Sequence, residues 1–375
     1  MKIFYTAKQK DKMVAWFSDM VDNAIGNWEK PWSAICGYKE SKPINMLTKS
    51  EYGAFNSFLL ASQCSINGWK LPYFVTYEKV LETNLAERAP YVSGQGEPII
   101  MRDKRTKKDV VDADTGKVLE YGNIIISTYN KYTRYDKETD VWEVPISYSK
   151  YAKLSKEEQD EYKPIKCKKA NFVFNIEQTS FPELHPKAWE QMMQKLEEKP
   201  EVVDFHSDDV VYENLDKVLF EKGGWRCPIS LDGMDSAYFS HVSDSIHLPT
   251  LESFKLRSKF YSTALHEMAH STMIPLKRNY GHGGFGSPSY AKEELVAEFT
   301  AAIVSYNYGI EVTHDKKSPF DKEHLQYIKS WRKQCKNPDE VIREIIDDIF
   351  DAVNYETNYI NYVDDKIKQY KKKTT

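Results

Sequence analysis

One short stretch, Tyr261-Ser-Thr-Ala-Leu-His-Glu-Met-Ala-His270, holds residue types at a spacing that could do chemistry. His266, Glu267 and His270 form the pattern H-E-x-x-H. On a helix, residues four apart share a face one turn apart. Two imidazoles so placed can hold one Zn²⁺ at about 2.0–2.1 Å. Glu267 then lies beside the metal, where it can take a proton from a bound water. With 9 histidines in 375 residues, such a pattern arises by chance in roughly one chain in 60, so its context has to support it. Phe260, Leu265, Met268, Ala269 and Met273 keep apolar residues at helical spacing, and Pro275 is a helix stop.

A zinc site of this kind needs a third protein ligand and an open position. The next helical pattern, Tyr290–Val304, offers one. Leu295, Phe299, Ala302 and Ile303 mark its buried face, while Glu294 and Glu298 share another. One carboxylate can bind the metal and the other can accept the N–H of a ligating histidine. Glu293 is a rival for the ligand position.

Around these helices the chain is ordinary in composition. It has 29% charged and 41% hydrophobic residues and a net charge of −4, as in globular proteins of two or three domains. No run of 18 apolar residues exists, so no membrane span is expected. The N-terminus lacks the apolar core of a secretion signal. Five scattered cysteines (Cys36, Cys64, Cys167, Cys227, Cys335) without a C-x-x-C spacing imply reduced thiols and a cytoplasmic protein. The expected domains are 1–180, a linker at 181–201, and 202–375.

Periodicity supplies the elements that must position the site. An amphipathic helix is expected over Lys8–Gly26 and another over Leu47–Ala61, capped at Thr48 or Ser50. A hairpin-like pair follows at Gly122–Tyr129 and Val141–Tyr148, then an alternating strand at Asn171–Glu177. A helix at Val210–Phe220 and two strands within Tyr238–Pro249, joined at Val242–Asp244, lead into the H-E-x-x-H helix. The glycine-rich stretch Tyr280–Pro288 forms a rim from which His282 could touch substrate. His241 and His247 fit satisfied strand histidines better than ligands. Helices at Pro319–Gln334 and Pro338–Tyr362 follow, then a frayed basic end at Lys366–Lys373.

Residues 1–180 carry a net charge of +3 and the remainder −7. The first half also interleaves rings with lysines, the mixture that binds single-stranded nucleic acid. The candidate contacts are Trp28, Lys30, Trp32, Lys49, Tyr52 and Asn56.

Several segments, in order and spanning nearly the whole chain, resemble the ArdC-type antirestriction proteins of conjugative plasmids and phages. They are Pro31-Trp32, Asn45-Met-Leu-Thr-Lys-Ser-Glu-Tyr-Gly-Ala-Phe-Asn56, Phe172-Val-Phe-Asn-Ile-Glu-Gln178, Asp244-Ser-Ile-His-Leu-Pro249, the H-E-x-x-H, Phe285-Gly-Ser287, Glu293–Glu298 and Tyr327-Ile-Lys-Ser-Trp331. The resemblance implies an α+β protein of two domains, an N-terminal domain that binds single-stranded DNA and a C-terminal zincin-like metallopeptidase domain. It implies protection of incoming DNA from restriction, one Zn²⁺ per chain, and a protein or peptide substrate if the site is active. The resemblance to glutamate-zincin metallopeptidases makes Glu294 the ligand and Glu298 its outer support, and lets an edge strand of the Tyr238–Pro249 type line the cleft. The alternative is a DNA-associated zinc protease that cleaves proteins on DNA. The stretch 103–166 is longer and more polar than the family implies.

Overall fold

A computed structural model of the chain describes residues 2–3, 7, 9–15, 17–18, 42–76, 91–92, 98–99, 123–136, 140–179, 181–197, 212–221, 223–232, 236–254, 256–279, 287–310 and 337–374. The expected helix at 319–334, the rim at 280–286, and Trp28, Lys30 and Trp32 lie outside these residues. The chain forms two compact units, each built from two segments: Met1–Met13 with Phe74–Pro186, and Val14–Tyr73 with Lys187–Thr375.

The first unit is organised by two long antiparallel strands, β3 (Asn123–Thr133) and β5 (Lys163–Asn175). Their register runs from Thr133↔Lys163 to Asn123↔Val173. The other edge of β5 takes β1 (Lys2–Ile3), in parallel, and β2 (Tyr73–Val75), antiparallel, one after the other. At one end Ile124, Ile125 and Ile126 are all buried, so both sheet faces are covered there. Toward the other end Thr128 and Asn130 are exposed.

The expected hairpin therefore has the wrong second strand. Pro145 has no N–H for a ladder, and residues 141–148 break into Val141–Trp142, β4 (Ile146–Ser147) and the start of a helix over Tyr148–Tyr151. Only β4 joins β3, through Lys131↔Ser147 and Tyr132↔Ile146. The strand expected from Asn171 begins at Lys163 instead. Its lysines hid it, although Lys163, Lys166 and Lys169 simply point to solvent along a paired ladder.

In the second unit the expected helix at Leu47–Ala61 is shifted to α1, Ala54–Asn67. The Asn45 carboxamide accepts from the N–H of Leu47 at 3.0 Å and of Thr48 at 3.1 Å. This side-chain turn competes with helix, and Lys49 follows at φ 58°. The first turn of α1 instead uses the Gly53 carbonyl, which accepts from Ser57 N–H at 2.8 Å.

Beyond it come α2 (Glu213–Phe220), then a three-stranded sheet of β6 (Ile229–Leu231), β7 (Tyr238–Ser240) and β8 (Ser245–Leu248). β8 is central, parallel to β6 and antiparallel to β7. Next are α3 (Arg257–Ser271), the short α4 (Met273–Leu276), α5 (Pro288–Tyr308) and α6 (Pro338–Thr374). The end expected to fray continues α6 as helix.

Helix α5 is the hub, packed against α1, α3 and α6. Leu295, Val296, Ala297, Ile303 and Val304 are almost fully buried, which makes it apolar around most of its circumference. Ring contacts tie the helices together. Phe17 meets Phe299 at 5.2 Å, Phe55 meets Phe350 at 5.1 Å, and Phe58 meets Tyr306 at 5.5 Å between centroids. Phe55, in the ring-and-lysine half of the chain, is thus core.

Candidate metal centre

Local sequence explains why α3 and α5 present their polar residues where they do. Alternation in β8 buries Ile246 and Leu248 beneath the sheet, which packs on α3. At the end of α3, Trp225 Nε1 donates to Ser271 Oγ at 2.9 Å and Arg226 Nη1 to the Ser271 carbonyl at 3.1 Å. The second bond satisfies a helix-end carbonyl, and the first ties Trp225 to a hydroxyl that itself donates to the Met268 carbonyl. The start of α5 is set by Ser287, whose hydroxyl accepts from Tyr290 N–H at 3.2 Å, with Pro288 as the first helical residue. Gly309, at φ 66°, ends it.

The two helices bring His266, His270 and Glu294 together, with one ligand atom of each within 4.8 Å of the others. His266 Nε2 and His270 Nε2 face each other at 3.1 Å. Glu294 reaches both, Oε2 at 3.6 Å from His266 and Oε1 at 3.5 Å from His270. The outer nitrogens are also engaged: His266 Nδ1 lies 3.1 Å from Glu298 Oε2, and His270 Nδ1 lies 3.3 Å from Glu293 Oε1. A carboxylate only accepts. Each Nδ1 must therefore carry the proton, and in the neutral ring each Nε2 offers a lone pair. Two nitrogen lone pairs and a carboxylate oxygen then converge on one point, an arrangement that repels itself unless a cation sits between them. The donor set fits a divalent ion such as zinc.

Electrostatics say the same. Burial alone would lower both imidazoles, but the hydrogen bonds to the carboxylates outweigh it. His266 is held well above the usual histidine range and His270 is raised to about 9. Burial alone would raise Glu294, yet the two imidazoles hold it far below the usual carboxylate range. Protons on the histidines here do the work a cation would do.

Glu267 is 6% exposed. Among the described residues, no hydrogen bond or ion pair engages its carboxylate. Glu293, the rival ligand, is bound from behind by Arg278 and turns its Oε1 to the outer nitrogen of His270. Lys49 is exposed, with Nζ 5.6 Å over the Tyr73 ring. Burial pushes the Tyr52 hydroxyl up to about 12, and Asn56 is half-buried on α1.

Residues 220–345 match the zincin-like metallopeptidase family, and residues 8–174 match the N-terminal domain of anti-restriction factor ArdC. The chain joins an ArdC N-terminal domain to a zincin-like metallopeptidase domain. Two curated relatives from Escherichia coli, both named DNA primase TraC, are 40% identical over 116 residues. That is 30% of this chain, which spans only 10% and 8% of their lengths. Two crystal structures of the antirestriction protein ArdC from the R388 plasmid are similar. The metal-free one is 19% identical with TM-score 0.41, covering 92% of this chain and 94% of that one. The Mn(II)-bound one is 17% identical with TM-score 0.43, covering 93% and 97%.

Two further residues of this chain belong to the centre and were not legible as such. Arg278 is 8% exposed. Its guanidinium bonds to Glu293, to Thr272 Oγ1 at 2.7 Å and to the Ala269 carbonyl at 2.9 Å. A lone arginine after a helix gives no periodic signal. Glu356, on α6, is fully buried, and both its oxygens lack a hydrogen-bond partner among the described residues. Burial raises it well above the usual carboxylate range against the pull of Arg278, His266 and His270. Among the described residues no helix is long and apolar enough to cross a membrane.

Proposed function

We propose that this protein belongs to the ArdC antirestriction family, binds single-stranded DNA, shields it from restriction, and holds one Zn²⁺ in a metallopeptidase-type site. The ligands are His266, His270 and Glu294, with Glu298 and Glu293 orienting the two histidines. The observation that carries the metal assignment is the pair of Nε2 atoms facing each other at 3.1 Å beside Glu294. A divalent ion held by these residues would supply Lewis acidity. The chain's own part is to fix both imidazoles through their Nδ1–H groups, to keep the site largely dry, and to hold an unengaged carboxylate at Glu267 that can take up a proton and return it. The DNA assignment is supported by the N-terminal family match and by the aromatic–basic mixture of the first half. The division into 1–180, a linker at 181–201 and 202–375 belongs to the same reading as a division of the sequence, although Val14–Tyr73 packs in the unit of Lys187–Thr375; a cytoplasmic location belongs to it as well.

A second reading, a zinc protease acting on proteins bound to DNA, is favoured by Glu267 itself. A purely structural metal site has no use for a buried carboxylate that, among the described residues, no hydrogen bond engages.

The test is metal analysis of the purified full chain. About one zinc per chain is expected, lost in His266→Ala and in Glu294→Ala while circular dichroism shows the fold retained. Unchanged zinc in a folded His266→Ala protein rules out the ligand set.

A further inference from the structure

The three-stranded sheet carries a second cluster of polar residues. Ser245 and His247 alternate with buried Ile246 and Leu248, so they occupy the sheet face turned away from the core. Strand register sets their neighbours on that face. Ser230 of β6 and Tyr238 of β7 stand on either side of His247. Asp232, two residues beyond Ser230, reaches the same ring.

The bonds form a directed chain. His247 Nδ1 lies 2.7 Å from Asp232 Oδ2 and 3.0 Å from Ser230 Oγ. His247 Nε2 lies 3.1 Å from Ser245 Oγ. Asp232 accepts only, so the ring proton belongs on Nδ1 and Nε2 is left as an acceptor for the Ser245 hydroxyl. Tyr238 stacks flat on the imidazole, with centroids 4.6 Å apart and planes 10° apart, which fixes the ring orientation. Ser243 Oγ, at the exposed turn, is 2.8 Å from Ser245 Oγ and leaves the cluster open on that side.

A carboxylate orienting an imidazole, whose far nitrogen takes the proton of a serine, is the arrangement that makes a hydroxyl nucleophilic. We propose that Asp232, His247 and Ser245 form a metal-independent nucleophilic centre on this sheet, with Ser245 reacting with acyl or phosphoryl donors. Ser245 Oγ forms the bond to the acyl carbon or phosphorus, its proton passes to His247 Nε2, and the leaving group departs with the electron pair of the broken bond. Ser243 supplies a hydroxyl donor beside the reacting oxygen.

A fluorophosphonate probe tests this on the full chain. Phosphorus bonds to Ser245 Oγ, fluoride leaves with the P–F electron pair, and the proton goes to His247. A single adduct at Ser245 is expected by peptide mass spectrometry, formed equally well in excess chelator and in the His266→Ala protein. The labelling rate is expected to fall roughly 10²–10⁴-fold in His247→Ala, as for loss of a general base, and to fall in Asp232→Asn. Labelling no faster than that of Ser245→Ala overturns the proposal, and so does a rate unchanged by His247→Gln. Labelling abolished by chelator assigns the reactivity to the metal centre and equally overturns it.

Discussion

Arg278 and Glu293 form a buried, two-point ion pair, Nε to Oε2 at 3.1 Å and Nη2 to Oε1 at 2.6 Å. The same Oε1 faces His270 Nδ1 at 3.3 Å, so the guanidinium holds the carboxylate that holds the proposed ligand. Breaking a buried pair by removing one partner costs about 3–5 kcal/mol, and losing the outer support of a metal ligand costs about 10–100-fold in metal affinity. Arg278→Met is therefore expected to lower the unfolding midpoint in denaturant strongly. Glu293→Gln is expected to weaken zinc by roughly that 10–100-fold factor in a chelator competition while still binding it stoichiometrically. Complete loss of zinc in a folded Glu293→Gln protein would make Glu293 the ligand and displace Glu294.

The same geometry predicts a pH dependence. His270 is raised from 6.5 to about 9 by Glu293 and Glu294, against the effect of burial. A histidine whose folded pKa is raised stabilises the fold fully below its unfolded value, and that stability is lost as pH rises through the folded value. The metal-free protein is thus expected to lose stability between about pH 6.5 and 9. Metal must displace the same protons, so apparent zinc affinity should climb over that window, with proton release seen by calorimetry in buffers of different ionisation heat. A flat affinity from pH 6.5 to 9 would show that the histidines are not protonated in the empty site.

How much of this was legible in the sequence divides along physical lines. The convergence of His266, His270 and Glu294 was readable because helical spacing is local: His266 and His270 are one turn apart, and Glu294 lies on the next apolar-striped helix. The strands 238–240 and 245–248 were readable from alternation. The partner of β3 was not, because pairing is long-range and lysines at solvent-facing positions disguise a strand as a loop. The start of α1 was missed because the Asn45 side chain captures the N–H groups of Leu47 and Thr48. Nothing local told that residues 54–67 pack on α5 and α6. Arg278 and Glu356 become visible only once α3, α5 and α6 are assembled.

Glu356 gives a prediction of the same sense in pH, but for a substitution that stabilises. Its folded pKa is raised well above 4.5 by burial, so the folded chain binds a proton the unfolded chain releases, and stability falls as pH rises above about 4.5. An unsatisfied buried polar group costs about 1–3 kcal/mol. Glu356→Met is expected to stabilise the metal-free protein by that order at pH 8 and by less at pH 5, measured by denaturant titration at both pH values. Destabilisation at pH 8 would mean that the carboxylate has a favourable partner.

The DNA candidates separate by exposure. Lys49 is exposed and Tyr52 has its hydroxyl in the interior. In the full chain, Lys49→Ala is expected to weaken single-strand binding and reduce the salt slope by about 1, the signature of one lost phosphate contact. Tyr52→Ala is expected to lower the melting temperature instead. An unchanged salt slope in Lys49→Ala removes that residue from the interface.

The last prediction separates catalysis from binding. Glu267→Gln keeps shape and nearly keeps volume but cannot accept a proton. Zinc content is expected to persist, because Glu267 is not among the converging donors. Single-stranded DNA binding should persist as well, since none of its candidate contacts is Glu267. Peptidase turnover, on any substrate found, should fall by the roughly 10²–10⁴-fold associated with a general base. The discriminating measurement is survival of transformed DNA in a restricting host. Covering DNA needs no turnover, so protection is expected to persist in Glu267→Gln. Protection lost while zinc and DNA binding remain intact would instead place hydrolysis at the centre of the function and favour the protease reading.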